Sequence, residues 1–205
     1  MERIAIIGYS GHAYVVLDAC KKANINIQYY CDKNEKEVNP YLLDFMGDES
    51  SSNFNWDKIE TFVLGIGDNE IRQKVVKLIL SKGKTIKSVV HPTAIINDFV
   101  SFGEGTIVAA NAVLNPFAEV SDFCILNTGC IIEHECKVSD FTHIAPGVVL
   151  AGNVSIGKST FVGANSVIKE GLKIGDNVII GAGSVVLEDV PDNQTWVGNP
   201  AKRIK

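Results

Sequence analysis

The sequence predicts a protein of two parts, an α/β domain followed by a parallel β-helix. The β-helix is predicted by a period of six residues that holds its register from Val90 to Val186. A period of six fits neither an α-helix nor an ordinary β-strand, and is typical of coils built from short strands joined at corners. The residues at this period are all large and apolar: Val90, Ile96, Phe102, Val108, Leu114, Val120, Leu126, Ile132, Val138, Ile144, Leu150, Ile156, Val162, Ile168, Ile174, Ile180 and Val186.

The residue four places after each large one is small or β-branched in most hexads, as at Ala112, Cys124 and Thr142. We expect the large side chain to point into a three-sided prism and the small one to fill the space beside it. Three hexads then make one coil, and the coils must stack because no single coil buries its apolar row. A β-sandwich that matched this spacing by chance would not keep one register for so long. Glycine directly follows the large residue in several hexads and is expected to form the corner there: Gly103, Gly157, Gly163, Gly175 and Gly181.

Residues 1–88 carry the pattern of a small doubly wound, Rossmann-like α/β domain. The order of strand, glycine turn, helix and strand is a βαβ unit, for which a right-handed parallel crossover is expected. The predicted elements are a strand at 3–7, a turn at Gly8–His12, a helix at 12–23 and a strand at 25–31 that ends at Asp32.

A third strand is predicted from Thr61, followed by a helix that Asp68 or Asn69 caps. Residues 33–58 are polar and are expected to form a loop with a short helix or edge strand. A fourth strand is predicted at 85–90. The β-helix domain then takes residues 89–205, including a short basic C-terminal tail.

Composition excludes several classes of function. The net charge is −5 and no basic stripe is present, so we expect no nucleic-acid partner. The first apolar run is a buried strand rather than a signal peptide, and no run is long enough for a membrane span. The five cysteines form no CxxC pair, and Cys124, Cys130 and Cys136 occupy small inward positions, so we expect core thiols in a cytoplasmic protein.

A nucleotide pocket is predicted in the first domain. The turn at Gly8–His12 lies at the carboxyl edge of a parallel sheet, where a helix N-terminus favours phosphate. Asp32 ends the second strand, where a carboxylate can bond a ribose hydroxyl, and Gly67 ends the third strand beside the same crevice. The alternatives are an α/β domain that only packs or oligomerises, and a dinucleotide site, for which the glycine pattern is incomplete.

His134 is the candidate for acid–base chemistry. It lies two residues after the inward Ile132, so it should point outward near a corner, and Glu133 and Glu135 flank it. A carboxylate can hold an imidazole in one tautomer and stabilise the imidazolium, which is what a general base requires. The sequence does not decide between the two carboxylates. The alternative is a solvated histidine in a charged surface cluster.

The spacing of His134 and His143 constrains how they act. Nine residues are half of a coil of eighteen, so the two imidazoles of one chain lie on different faces. If both act on one substrate, they do so across a subunit interface, and a flat-sided prism favours a cyclic trimer. Zinc bound by histidines is the other use of such residues, but no third ligand is evident, so we predict no metal.

Seven segments resemble one known family. The chain is similar throughout to the sialic-acid O-acetyltransferase-like family of left-handed β-helix acyltransferases, which includes UDP-N-acetylbacillosamine and perosamine N-acetyltransferases. The left hand of the helix is implied by this resemblance. The segments that carry it are Gly8–His12, Gly67–Arg72, His91–Ala94, Asn127–Cys136, His143, Ala151–Val154 and Gly198–Lys202.

The resemblance also implies roles for individual residues. His134 resembles the catalytic base and Glu135 its acidic partner, while Asn127 resembles a residue that lines the sugar site. The remaining positions fall into a nucleotide-sugar pocket (Ser10, Gly11, His12, Asp32 and Gly67), an acetyl-CoA groove (His143, Gly152, Ala164 and Ala182, with Pro146 in the same column) and contacts to the CoA phosphates (Lys202 and Arg203). No long loop interrupts the hexads, as one does in many such enzymes, so the first domain is expected to recognise the substrate.

We therefore predict an acetyl-CoA-dependent N-acetyltransferase that acts on the amine of a UDP- or GDP-linked amino sugar. The amine attacks the thioester directly and His134 takes its proton. The enzyme is expected to be a cytoplasmic homotrimer of cell-surface glycan biosynthesis, with active sites between subunits. The alternatives are O-acetylation of a sialic acid or another sugar hydroxyl, and a non-catalytic β-helix scaffold.

Overall fold

The chain divides into two compact units. The computed structural model describes residues 2–205, and its contacts separate Met1–Pro92 from Thr93–Lys205. The boundary expected from the sequence, between residues 88 and 89, falls four residues earlier. The helices of the described residues are too short or too polar to cross a lipid bilayer.

The first unit is a parallel five-stranded sheet with two helices. The strand order is β3-β2-β1-β4-β5, so the chain reverses direction across the sheet between β1 and β4. In such sheets, ligands bind outside the carboxyl ends of the strands at this point. The elements are β1 (Ile4–Ile7), α1 (Gly11–Lys22), β2 (Tyr29–Cys31), β3 (Asp44–Phe45), a 3₁₀ turn (Trp56–Lys58), β4 (Thr61–Leu64), α2 (Asn69–Ser81), β5 (Thr85–Ile86) and β6 (Val89–Val90).

The sequence pattern explains most of these elements. The predicted βαβ order is present, and Asp68 caps α2 by accepting a hydrogen bond from the backbone N–H of Ile71 at 2.8 Å. The polar stretch at 33–58 contributes an edge strand and one short turn. The predicted strand at 85–90 is instead divided into β5 and β6.

The second unit is a β-solenoid of the left-handed β-helix type. Residues one coil apart pair in parallel register, as Leu114 does with Ile132 and Ile132 with Leu150. The strands are β7 (Ile95–Ile96), β8 (Ser101–Phe102), β9 (Ile107–Val108), β10 (Val113–Leu114), β11 (Glu119–Val120), β12 (Ile125–Leu126), β13 (Ile131–Ile132), β14 (Lys137–Val138), β15 (His143–Ile144), β16 (Val149–Leu150), β17 (Ser155–Ile156), β18 (Phe161–Val162), β19 (Val167–Ile168), β20 (Lys173–Ile174), β21 (Ile179–Ile180), β22 (Val185–Val186), β23 (Thr195–Val197) and β24 (Lys202–Arg203).

These strands form three flat faces. The first face consists of β7, β10, β13, β16, β19 and β22, and the second of β8, β11, β14, β17 and β20. The third face contains β9, β12, β15, β18, β21, β23 and β24. We call the edge between the first and second faces the first corner, that between the second and third the second corner, and that between the third and first the third corner.

The period-six residues form the core, as predicted. From Val108 to Val186 each of them is buried, whereas Ile96, in the first coil, is 37% exposed. A terminal coil has a neighbour on one side only, so its inward side chains are covered less well.

The corners are formed at a different residue from the one predicted. Every sixth residue from Phe99 to Gly183 has a φ between +54° and +73°, three places after the large inward residue. The first corner contains Phe99, Phe117, Glu135, Asn153 and Gly171; the second Gly105, Phe123, Phe141, Ser159 and Asn177; the third Asn111, Gly129, Gly147, Asn165 and Gly183.

The glycines expected at the corners have another role, so that prediction was wrong. None of the five has a positive φ. A Cβ on Gly163 would lie 2.5 Å from the backbone nitrogen of Ala182, and one on Gly157 would lie 2.4 Å from the carbonyl carbon of Gly175. These glycines therefore let one coil approach the next, and a side chain there would force the coils apart.

Small polar side chains inside the prism bond to the following coil. Thr142 and Thr160 donate to the carbonyl oxygens of Gly157 and Gly175 at 2.8 and 2.7 Å, and the Cys136 thiol donates to the Ala151 carbonyl at 3.1 Å. All five thiols are free and buried. Burial raises the pKa of Cys130 to about 12, which keeps it protonated and unreactive. The predicted role of these cysteines as core residues is confirmed.

The last coil is shorter than the others. Ile180 pairs with Trp196, sixteen residues on rather than eighteen, and Asp189 and Asp192 accept backbone hydrogen bonds from Lys173 and Asp176 at 2.8 Å. β24 then pairs antiparallel with β23 and ends the third face.

Replacing Gly163 with alanine tests the role of the close-approach glycines. We expect Gly163→Ala to lower the free energy of unfolding by about 1–3 kcal/mol, because its Cβ meets backbone atoms that cannot turn aside. Asn111→Gly, at a corner with φ +58°, is the matched control and should change stability by less than about 1 kcal/mol. Urea unfolding measures both. Equal stability of Gly163→Ala and the wild type would contradict this account.

Candidate active site

The glycine turn of the first unit lies where the sheet order reverses. Gly8 follows β1 with a φ of +84°, and its backbone lies against that of Gly65, which follows β4. Ser10 and Gly11 begin α1 and are exposed, so the first N–H groups of the helix face solvent. This is the arrangement that binds a phosphate group at a helix N-terminus.

Asp32 lies beside this turn, as predicted. Its Oδ2 accepts from the backbone N–H of Tyr9 at 3.2 Å and pairs with the Lys36 ammonium at 2.9 Å. Its Oδ1 accepts from the backbone N–H of Lys33 at 2.8 Å. A carboxylate oxygen accepts two hydrogen bonds, so Oδ1 has capacity for one further donor such as a ribose hydroxyl.

His12 and Gly67 are also close together. A Cβ on Gly67 would lie 3.7 Å from Cγ of the His12 ring, so the loop after β4 packs on that imidazole. Burial, reinforced by the nearby Arg72 charge, lowers the pKa of His12 to about 4. At neutral pH, His12 is therefore an uncharged hydrogen-bonding group rather than a cation.

Arg72 lies beside this loop, and no motif in the sequence marks it as a functional residue. Its guanidinium is buried and donates to the carbonyl oxygens of Ile66 and Gly67 at 3.3 and 3.1 Å and to Oδ1 of Asn69 at 2.9 Å. It thus fixes the loop that contains Gly67. The signal in the sequence is an arginine on the inner side of a predicted amphipathic helix, one turn after the cap.

His134 lies at the first corner of the β-helix and is more than half exposed, as its position predicted. Its Nδ1 is 3.1 Å from Oε2 of Glu135, and a carboxylate can only accept, so Nδ1 carries the proton. The lone pair of Nε2 is then available to a substrate. Of the two flanking carboxylates, Glu135 is the one that orients the ring. The catalytic role of His134 remains a prediction.

Gly152 allows the imidazole to lie close to the next coil. It is eighteen residues after His134, and a Cβ there would lie 2.6 Å from both Nε2 and Cε1 of the ring. Any side chain at Gly152 would displace the ring. Gly152 therefore makes room for the His134 ring, and the role in the acetyl-CoA groove that the resemblance implied for it stays a prediction.

Asn127 and His143 form a separate, buried pair on the third face. Nδ2 of Asn127 is 3.1 Å from Nε2 of His143, while Oδ1 of Asn127 accepts from the backbone N–H of Thr128 at 2.8 Å. The amide group therefore donates to His143. The edge of the His143 ring packs against Phe161 at a centroid distance of 5.1 Å. Asn127, predicted to lie in the sugar site, thus lies with His143 rather than with His134.

Ala164 and Ala182 stack at the third corner, and Pro146 lies in the same column. Backbone hydrogen bonds of 2.9 and 2.8 Å join Asn165 to Pro146 and Gly183 to Ala164. The side chains in this column are small and partly exposed. Lys202 and Arg203 form the exposed strand β24 at the end of the third face, and Lys202 is 3.7 Å from a carboxylate oxygen of Glu188.

The predicted residues of the β-helix therefore form two groups in one chain. His134, Glu135 and Gly152 lie at the first corner. The other group lies on the third face and at the third corner: Asn127, His143, Ala164, Ala182, Lys202 and Arg203. The first corner is opposite the third face of a three-sided prism, so the two groups do not meet within one chain. In residues 2–205 no three or more metal-binding side chains are grouped to hold an ion.

Comparisons with known proteins identify the family. The PglD N-terminal domain model matches residues 3–79, and the bacterial transferase hexapeptide model (six repeats) matches residues 153–188. The crystal structure of PerB from Caulobacter crescentus, in complex with CoA and GDP-perosamine, is 30% identical with a TM-score of 0.91. The match covers 100% of this chain and 98% of that one. The chain belongs to the left-handed β-helix sugar N-acetyltransferases.

Other members of this sugar N-acetyltransferase family match over the same length. A variant of perosamine N-acetyltransferase from Caulobacter crescentus is 29% identical with a TM-score of 0.92 over 100% of this chain and 98% of that one. The acetyltransferase domain of PglB from Neisseria gonorrhoeae, in complex with acetyl coenzyme A, is 27% identical with a TM-score of 0.91, covering 99% of each chain. No curated protein sequence matches the chain. The fold and the family predicted from the sequence are confirmed.

The low pKa of His12 makes the stability of the protein depend on pH. The folded-state pKa, about 4, is below the ordinary 6.5, so as the pH falls the unfolded chain takes up this proton first and folding is weakened. The loss begins below pH 6.5 and amounts to about 2 kcal/mol by pH 5. We expect His12→Gln to remove this part of the loss between pH 7 and pH 5, measured by urea unfolding at each pH.

The control for this measurement is His134→Gln, which removes an exposed imidazole. It should keep the steep acid loss that is assigned to His12. A steep acid loss that persists in His12→Gln would show that His12 is not its source.

Proposed function

We propose that this sugar N-acetyltransferase moves an acetyl group from acetyl-CoA to the amine of a nucleotide-linked amino sugar, with His134 as general base. The observation that carries the proposal is the exposed His134 imidazole at the first corner, held by Glu135 through Nδ1 so that Nε2 has its lone pair free of that contact. A buried or differently bonded ring could not take a proton from a substrate.

The reaction needs no covalent enzyme intermediate. The amine nitrogen attacks the thioester carbonyl carbon and forms the C–N bond, and the C–S bond breaks with release of the CoA thiolate. His134 Nε2 takes the proton lost by the amine, and Glu135 stabilises the imidazolium. The proton then passes to the thiolate or to solvent. The cysteines of the β-helix, Cys124, Cys130 and Cys136, are buried and cannot serve as acyl carriers.

The surface of the β-helix supports a trimer with its first faces inward. The outward residues of the first face are aliphatic and β-branched throughout: Ile95, Val113, Ile131, Val149, Val167 and Val185. Those of the second face are polar: Ser101, Glu119, Lys137, Ser155 and Lys173. A continuous apolar stripe on a flat face indicates a protein interface.

Three prisms with their first faces toward a common axis bring unlike corners together. The first face is bounded by the first and third corners, so the first corner of one subunit meets the third corner of the next. His134 then faces the Ala164–Ala182 column of its neighbour. This arrangement unites the two groups of residues that a single chain keeps apart.

The third-corner column suits the pantetheine arm of acetyl-CoA. Ala164 and Ala182 leave a shallow track parallel to the helix axis, and Lys202 and Arg203 are positive groups at its far end. We propose that the thioester lies at the level of His134 and the phosphates lie toward β24. The PglB acetyltransferase domain in complex with acetyl coenzyme A supports this co-substrate.

The first unit is proposed to bind the nucleotide moiety of the acceptor. The turn at Gly8–His12 offers N–H groups to the diphosphate, and Asp32 has an acceptor site for a ribose hydroxyl. The complex of PerB with GDP-perosamine supports a nucleotide-linked amino sugar as the acceptor class. UDP and GDP are the two nucleotides to test.

Removal of the general base tests the mechanism. We expect His134→Ala to lower kcat by a factor of about 10²–10⁴ at pH 7, because the attacking amine loses its proton acceptor. Glu135→Gln keeps the hydrogen bond but loses the charge, so its effect should be smaller. The assay is CoA thiol release with a UDP- or GDP-linked amino sugar. Near-full activity of a folded His134→Ala protein would eliminate this assignment.

Subunit complementation tests the location of the site. His134→Ala and Ala182→Trp should each inactivate the homotrimer. Co-expressed with different tags and purified through both tags, they should yield mixed trimers with about a third of wild-type activity, because in each mixed trimer one interface of the three joins an intact first corner to an intact third corner. A double variant on one chain is the control and should stay inactive. Absence of activity in purified mixed trimers would place the site within one subunit.

A further inference from the structure

Two stacked phenylalanines lie at the first corner, in the same column as Glu135. Phe99 and Phe117 have ring centroids 5.0 Å apart and planes within 3° of each other. Phe117 is one coil before Glu135, and a hydrogen bond of 3.2 Å from the Glu135 N–H to the Pro116 carbonyl joins the two coils. Adjacent coils are about 4.8 Å apart, so Phe117 is the nearest corner residue to Glu135 on that side.

The exposure of this pair is not explained by the packing of a single chain. Phe123 and Phe141 stack in the same way at the second corner, with centroids 5.1 Å apart, but they are only 7% and 8% exposed. Phe99 and Phe117 are 74% and 55% exposed. Stacking at a corner therefore does not require an exposed ring, and exposed apolar area beside a site indicates a binding surface.

The direction of the acetyl-CoA track indicates which substrate meets this surface. The proposed track runs from the level of His134 toward Ala164, Ala182 and Lys202, which all belong to later coils. The thioester therefore approaches His134 from the C-terminal side. The amine has to approach from the other side, where the column continues with Phe117 and then Phe99.

We propose that Phe117 is a specificity-determining residue that stacks on the apolar C–H face of the acceptor sugar. Phe99 covers the far side of the Phe117 ring, which leaves the other face of Phe117 directed toward the Glu135 level. An aromatic ring in this place binds the pyranose by contact with its C–H groups and holds the amine near the His134 imidazole. Phe99 is a positioning residue that keeps the Phe117 ring in this plane.

This inference rests on the proposed function and deepens it. It assigns the acceptor sugar to the N-terminal side of His134, where no sequence motif had indicated a site. Because Phe99 and Phe117 are outside the period-six core, replacing them should leave the β-helix folded.

The experiment compares Phe117→Ala, Phe117→Tyr and Phe99→Ala with wild type. KM is measured separately for acetyl-CoA and for a UDP- or GDP-linked amino sugar, and the trimer mass is measured by light scattering. Phe117→Ala should raise KM for the sugar about tenfold and leave KM for acetyl-CoA unchanged. Phe117→Tyr should restore the wild-type value, and Phe99→Ala should have a smaller effect. Leu187→Ala, which removes another exposed apolar side chain, is the matched control.

The outcomes distinguish a failure of this inference from a failure of the proposed function. An unchanged sugar KM in Phe117→Ala overturns the inference, and so does loss of trimer mass, which would assign the ring to a subunit contact. If wild type itself acetylates neither sugar, the proposed function fails with the inference. If the wild type is active and the sugar KM of Phe117→Ala equals that of the wild type, the proposed function stands and this inference falls.

Discussion

The stacking of one coil on the next, at the spacing of paired strands, is the constraint on which the second unit depends. It requires a glycine where backbones approach most closely, as at Gly157 and Gly163, and a left-handed corner residue every six positions. It also fixes where each side chain lies, because residues eighteen apart come to stand above one another. The position of His134 over Gly152 follows directly from this repeat, as does the column of Ala164 and Ala182.

The period, the three faces and the buried apolar row could be predicted from the sequence because they depend on hydrophobic spacing alone. The corners could not. Glycine is the residue that a left-handed conformation favours, yet only five of the fifteen corner residues are glycine, and Phe, Asn, Glu and Ser occupy the others. Side chains at these corners stack on their counterparts one coil away, as Phe123 does on Phe141, and this contact offsets the cost of the conformation. The glycines that stood out in the sequence serve packing between coils instead.

The candidate site could likewise be predicted only in part. The outward position of His134 follows from its distance to Ile132, and the reversal of the sheet order explains why Asp32, His12 and Gly67 lie at the same edge of the sheet. Tertiary contacts decided the rest. The choice of Glu135 over Glu133 depends on the turn at the corner, the pairing of Asn127 with His143 depends on which residues meet across two coils, and Arg72 is buried only because it bonds the loop after β4.

The shortened last coil closes the end of the third face. Sixteen residues bring Trp196 onto Ile180, and the antiparallel strand β24 then covers the edge of β23. Each coil advances the chain by about 4.8 Å along the helix axis, so the number of coils between His134 and Lys202 sets their axial distance in steps of that size. A whole coil gained or lost would therefore change the distance between the His134 imidazole and the basic residues of β24 by a single step.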